Sequence, residues 1–207
     1  VKTWAQAEGL VAVDLPGAAW PTVEDSLRTV ARDYFNRTQA WRATLDPQLS
    51  AVGVFEYDAV EETGAEPIKI LTATYDKTPL RPLTTREFML ERAQAAGNGN
   101  PEFVSFNGES LLVWPPAIVA GRQILVEVAF RPSLNAKGLP DEVWNEHIDA
   151  LIEGTKAKIK VMKDMPFTDY EGARVAAANY RSAIGSAHIS ATKGYTRART
   201  NSTARFF

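Results

Sequence analysis

Only two histidines occur in the 207 residues, His147 and His188, and there is no cysteine. Thiol nucleophiles, thiolate metal sites and disulfides are therefore excluded. His147 stands between Glu146 and Ile148 in a charged stretch, His188 in an alanine-rich one. Neither lies in an H-E-x-x-H or other metal-ligand spacing, so His147 reads as a solvated or packing histidine rather than a catalytic base. Carboxylates fall together at Glu24-Asp25, Glu61-Glu62, Asp141-Glu142 and at Asp149 with Glu153. Glycosidase-type acid–base chemistry needs two carboxyl groups facing one cleft. Each of these pairs is explained more simply as a helix start, a turn or a wet helix face. Gly97-Asn98-Gly99-Asn100 is the only glycine-rich stretch. It lacks the Lys and Ser or Thr of a phosphate loop and precedes a strand instead of joining strand to helix. The sequence nominates no catalytic residue, cofactor-binding residue or metal ligand, and the expectation is a protein that is not an enzyme and carries no cofactor.

One feature asks for a partner. The formal net charge is only -2, but no acidic residue follows Glu171. Arg174, Arg181, Lys193, Arg197, Arg199 and Arg205 give the end of the chain +6 and leave residues 1–173 at -8. Lys193, Arg197, Arg199 and Arg205 lead to the aromatic pair Phe206-Phe207. This segment reads as an arm that docks on another protein, Arg pairing with carboxylates and Phe anchoring. A frayed terminus and a DNA contact remain alternatives, although the charges are spread thinly for a polyanion site. Trp20, Trp41, Trp114 and Trp144 lie at joins between elements and read as packing between helical and β parts. A stacking platform for bases would set them among Arg and Lys on strands, and these strands are poor in both.

Apolar residues make up 45% and charged residues 23%, an ordinary globular composition. No apolar run is long enough for a membrane-spanning helix. Thr22 and Asp25 resemble a short capping box, and Val23, Leu27, Val30 and Tyr34 follow at helical spacing. Between residues 50 and 130 the pattern is β: short runs around Val52–Tyr57 and Pro67–Tyr75, then Phe103–Phe106 and Ser110–Trp114 around Asn107-Gly108. Asn-Gly between such runs signals a hairpin. Gln123–Phe130 is the clearest strand and is expected to pair with residues 110–114. Thr84-Thr85-Arg86-Glu87 reads as a capping box for one short helix in this region. From Pro140 the period is helical again: Trp144, Ile148, Leu151 or Ile152, Thr155, Ile159 and Met162 form one stripe, with acids first and lysines last. Pro166 ends that helix, and Ala173, Ala177, Tyr180, Ile184 and Ala187 mark another from about Thr168 to Ser190.

The order of these elements resembles the head-to-tail adaptor proteins of tailed bacteriophages, the tail tubular protein A type, over about residues 20–190. Three stretches carry the resemblance. One is the opening helix ending in Phe35-Asn36-Arg37-Thr38-Gln39-Ala40-Trp41. Another is Phe103-Val104-Ser105-Phe106-Asn107-Gly108 with Leu111-Leu112-Val113-Trp114-Pro115-Pro116. The last is Leu139-Pro140-Asp141, Gly154, Met165-Pro166 and Ala173 to Tyr180. The resemblance implies a structural virion protein without catalytic residues. It implies a ring of about twelve copies at the neck between capsid and tail, assembled in the host cytoplasm. Its implied partners are its own copies, the portal protein, a tail or nozzle protein, and viral DNA passing through without sequence-specific binding. By position, residues 191–207 become the portal-binding arm. The rival readings are another neck or tail-completion subunit, or a nucleic-acid-binding module using the basic C-terminus.

The fold expected is α+β: long packed helices from both chain ends, a small central antiparallel β unit and an extended basic C-terminal arm. The expected divisions are 1–48, an N-terminal segment and first core helix; 49–132, an antiparallel β unit with one short helix; 133–190, a helical hairpin completing the core; and 191–207, a flexible arm.

Overall fold

The computed structural model describes residues 1–58, 64–94, 99–108 and 110–193. In chain order these form β1 (Lys2–Thr3), a 3-10 turn (Trp4–Ala7), α1 (Glu8–Ala12), α2 (Trp20–Thr38), β2 (Arg42–Thr44), β3 (Gln48–Leu49), β4 (Glu56–Asp58), β5 (Ala65–Tyr75), β6 (Thr78–Pro79) and β7 (Arg81–Pro82). There follow α3 (Thr85–Gln94), β8 (Phe103–Asn107), β9 (Ser110–Trp114), β10 (Gln123–Pro132), β11 (Gly138–Leu139), α4 (Asp141–Ile159) and α5 (Tyr170–Lys193). The chain divides into two compact units. One joins Val1–Ala40 to Pro132–Phe207, and the other is Trp41–Arg131.

The first unit is built on α2, α4 and α5. Val23, Leu27, Val30 and Tyr34 are buried on one face of α2, as their spacing requires, and Ala31 and Phe35 widen that face. The helix starts at Trp20, with Ala19 as its cap and Pro21 inside the first turn, so Thr22 is not the cap. Proline is tolerated there because a first-turn N–H has no intrahelical acceptor. The left-handed Gln39 (φ 52°) closes α2 by donating its N–H to the Phe35 carbonyl at 2.9 Å. In α4, Asp141 and Glu142 lie at the positive end of the helix dipole and Lys156 and Lys158 at the negative end. Its buried stripe ends with Ile159, one turn short of Met162.

Gly154 is where these helices meet. A Cβ there would stand 2.6 Å from Val30 Cγ1 and 2.8 Å from Tyr180 Cε2, so only glycine admits this approach. The Tyr180 hydroxyl lies 3.3 Å from both the Val30 carbonyl and Asp33 Oδ2. Asn179 donates to Glu153 at 2.8 Å, and Glu153 also pairs with Lys156 at 3.0 Å. Lys156 reaches Asp14 as well, tying the segment after α1 to α4. That bond holds the Asp14 carboxyl below its usual range.

Residues 1–15 carry a packing pattern that the sequence reading passed over. Trp4, Ala7, Val11 and Leu15 are all buried, at spacings of three, four and four. The Trp4 indole donates to the Ala136 carbonyl at 2.7 Å, and its ring lies 6.2 Å from that of Trp144. β1 pairs antiparallel with β11, and a Cβ on Gly138 would collide with the Lys2 carbonyl oxygen.

The second unit holds two sheets. β2-β10-β5-β6 forms one, with β3 also pairing β10; β4-β9-β8-β7 forms the other. The β8–β9 hairpin runs from Phe103↔Trp114 to Asn107↔Ser110, with Gly108 (φ 67°) just beyond the last pair. The pairing expected between β10 and β9 does not occur; residues 115–122 carry the chain to the other sheet, where β10 pairs with β2, β3 and β5. The capping box is realised at the start of α3. The Thr84 N–H and hydroxyl donate to Glu87 Oε2 at 2.9 and 2.8 Å, and the Glu87 N–H donates to the Thr84 hydroxyl at 3.3 Å.

The expected helix-dominated architecture with a small central antiparallel sheet is therefore wrong. Among the described residues the fold is mixed, 44% helical and 27% strand, with five α-helices and about eleven strands in three sheets. One sheet, β1–β11, lies in the helical unit, and β7–β8 is a parallel pair. The reading failed because β2, β3, β4, β6, β7 and β11 are two or three residues long. Such segments are held by backbone pairing and have no room for an alternating pattern.

Two glycines separate helix propensity from packing. Gly154→Ala should destabilise the protein by a net of up to ~2 kcal/mol, because overpacking by as much as ~3 kcal/mol outweighs a propensity gain of ~1 kcal/mol. Gly185, on α5, would place its Cβ with nothing within 4 Å. Gly185→Ala should therefore stabilise by up to ~1 kcal/mol. Denaturant midpoints of the two variants check the opposite signs.

Candidate functional site

The groups that could do chemistry are dispersed. Glu24 is engaged by Arg28 one turn on, at 2.9 Å. Asp141, Glu142 and Asp149 are exposed along α4, while Glu153 is tied to Lys156 and Asn179. Glu61-Glu62 lies outside the described residues, as does part of Gly97-Asn98-Gly99-Asn100. Among the described residues no three His, Cys, Asp or Glu gather as metal ligands. His188 is exposed on α5. His147 is 7% exposed in the helical unit, so it packs rather than faces solvent. An apolar-walled cleft of about 440 Å³ in the second unit is bounded by Ile68, Pro82, Leu83 and Phe106, with Lys69 and Glu87 as its ionisable residues. Glu87 is already held by Thr84, whose backbone N–H keeps the carboxyl below its usual range.

The tryptophans find partners inside their own units. Trp4 meets Trp144, Trp41 lies 5.9 Å from Phe130, and the Arg92 guanidinium sits 4.0 Å over Phe55 and 5.8 Å from Trp114. Trp20 helps line a cavity of about 100 Å³ with Val11, Leu15 and Val23.

Of the docking-arm residues, Lys193 is the exposed last residue of α5. Arg197, Arg199, Arg205, Phe206 and Phe207 lie outside the described residues. The helix runs past the expected limit at Ser190, and the Thr192 hydroxyl donates back to the His188 carbonyl at 2.8 Å. Ala183, Ile184, Ala187 and Ala191 keep the helical spacing through this stretch and are half-buried. The only buried residues of α5 are Ala173 and Ala176, in its first two turns. From Arg181 onward the helix presents basic, polar and small side chains to solvent, along with Ile189.

A second surface was not read from the sequence. In the Trp41–Arg131 unit, loops 49–54 and 117–121 are laced together around Ser50. Ser50 is buried; its hydroxyl donates to the Val119 carbonyl at 2.8 Å and accepts from the Arg122 N–H at 3.0 Å. Its backbone N–H donates to Arg122 O, and its carbonyl accepts from the Gly121 N–H, both at 2.8 Å. Gly53 donates to the Ala117 carbonyl at 3.1 Å, and the Tyr57 hydroxyl closes the first loop on Val54 at 3.1 Å. The paired loops expose Leu49, Val52, Val54, Ile118 and Val119. Neither residues 47–55 nor residues 110–121, apart from Glu109 before them, contain a charge, and that uncharged pair of runs was the available signal. Exposed aliphatics on paired loops make this a candidate interaction surface.

No protein-family model matches this chain, and no curated protein matches it.

Ser50→Ala should cost about 1–2 kcal/mol, since it leaves two backbone partners without their side-chain bond. Amide exchange at residues 117–122 should accelerate while the helical unit keeps its protection. Unchanged exchange there would show that backbone pairing alone holds the loops.

Proposed function

We propose that this chain is a structural subunit of a tailed-phage virion, a head-to-tail adaptor that forms a ring joining portal to tail and continuing the DNA channel. The observation that carries this reading is α5. It extends more than four turns beyond its last buried residue, Ala176, and ends at Lys193, where the basic segment begins. A helix with so little of its own core behind it suits contact with other chains, and the following Arg and Phe residues suit a docking arm. The residues behind the family resemblance also occupy joints of the helical unit. Leu139 is buried in β11, Pro140 caps α4, and Gly154 and Tyr180 meet where the helices cross. The two surfaces divide the work: the helical unit and arm toward portal and neighbouring copies, the aliphatic loops of the other unit toward a protein partner.

Mixing the full chain with its portal protein should yield a closed ring of about twelve subunits by electron microscopy and native mass. A chain that stays monomeric and binds neither portal nor tail protein overturns the reading. A chain ending at Lys193 should keep its thermal midpoint and lose portal affinity at least tenfold, a difference of about 1.4 kcal/mol. Equal affinity would dismiss the arm. Salt-sensitive duplex binding by the full chain, lost on the same truncation, would favour the nucleic-acid alternative instead.

A further inference from the structure

His147 is buried where α4 lies against α2. Its Nδ1 is 3.2 Å from the Tyr34 hydroxyl, and its ring stands nearly edge-on to Phe35, with centroids 5.5 Å apart. The Tyr34 ring in turn lies 6.1 Å from that of Tyr180 on α5. We propose that the His147–Tyr34 pair is an acid-sensitive clasp, which holds α4 to α2 while the imidazole is neutral and releases it when the ring takes up a second proton.

The surroundings determine the sign. Burial is the largest influence on His147 and lowers its pKa from 6.5, while the charge of Glu146 pulls weakly the other way. Tyr34 faces the ring from α2 but offers no countercharge, because burial pushes its hydroxyl up to about 12. From α5, Tyr180 packs on the Tyr34 ring, its hydroxyl pKa raised by burial and by Asp33; Asp33 itself is paired with Arg37 at 2.9 Å. A proton on His147 therefore adds a cation between Tyr34 and Phe35, and among the described residues the exposed Glu146 is the one charge that acts on it. The fold favours the neutral ring, so its contribution is complete above pH 6.5 and declines as the pH falls from there toward the lowered folded-state value. Each pH unit in that window increases the opening equilibrium of the helical unit by up to about tenfold. The carboxylates held low in the same unit, Asp14, Glu153 and Asp169, lose their contributions only in the more acidic carboxylate range.

In the 207-residue chain, His188→Gln leaves His147 as the sole histidine, so one ring proton signal reports it by NMR. Its titration midpoint should fall below 6.5. Amides buried in α2 and α4 should lose protection as the pH is lowered from 7 to 5.5, after correction for intrinsic exchange, and regain it on return. Adding His147→Gln, which keeps a neutral hydrogen-bonding side chain, should flatten that dependence. A midpoint at or above 6.5, or an unchanged pH slope in the double variant, overturns the clasp. If the double variant does not fold, the titration of His147 in the His188→Gln protein decides alone.

Discussion

The helical unit depends on a missing side chain. At Gly154 the α4 backbone comes so close to Val30 of α2 and Tyr180 of α5 that no Cβ fits. Close approach brings polar groups within reach of one another: the Tyr180 hydroxyl finds the Val30 carbonyl, and Asn179 finds Glu153. Lys156, two residues further along α4, then gathers Asp14 and Glu153. Burial alone would push its ammonium toward neutrality, but those hydrogen bonds outweigh it and hold the charged form. A small residue thus sets the spacing, and the polar contacts fix the register of helices whose facing residues on α5 are mostly alanine.

The long periodic elements were legible. Val23, Leu27, Val30 and Tyr34 had to share one face of a helix, and they do. The Thr84–Glu87 capping box and the Asn107-Gly108 hairpin were readable because each uses local chemistry within a few residues. The short strands were not readable, since two paired residues need only a partner backbone and leave no pattern in their side chains. The pairing of β10 was misjudged because sequence neighbours in a β region usually pair, and here they occupy different sheets. In the candidate surfaces, the histidine environment was half legible: His147 was expected to be solvated or packed, and the Tyr34 contact across α2 chose between them. The Leu49–Val54 and Ile118–Val119 surface is not legible from charge patterning, because its mark is the lack of any charge.

Charge is distributed along the helical unit in a simple order. Asp141, Glu142, Glu146 and Asp149 are exposed at the start of α4, and α5 carries no acidic residue after Glu171. On the proposed reading, such a subunit offers opposite signs to different neighbours, which favours one docking orientation over others. The aliphatic loops of the other unit add a surface of another kind, uncharged and held rigid by hydrogen bonds around a single serine.

The Trp41–Arg131 unit interrupts the helical one, and its two ends are stitched together. The Phe130 N–H donates to the Trp41 carbonyl at 2.8 Å, and the two rings meet at a tilt of 42°. The chain therefore leaves the helical unit and returns to it through neighbouring strands. Segments inserted in this way can lengthen, shorten or be exchanged without rerouting their host. Changes confined to the Trp41–Arg131 unit can thus leave Gly154 and its helices as they are, so this half of the molecule behaves as an interchangeable fitting on a fixed mount.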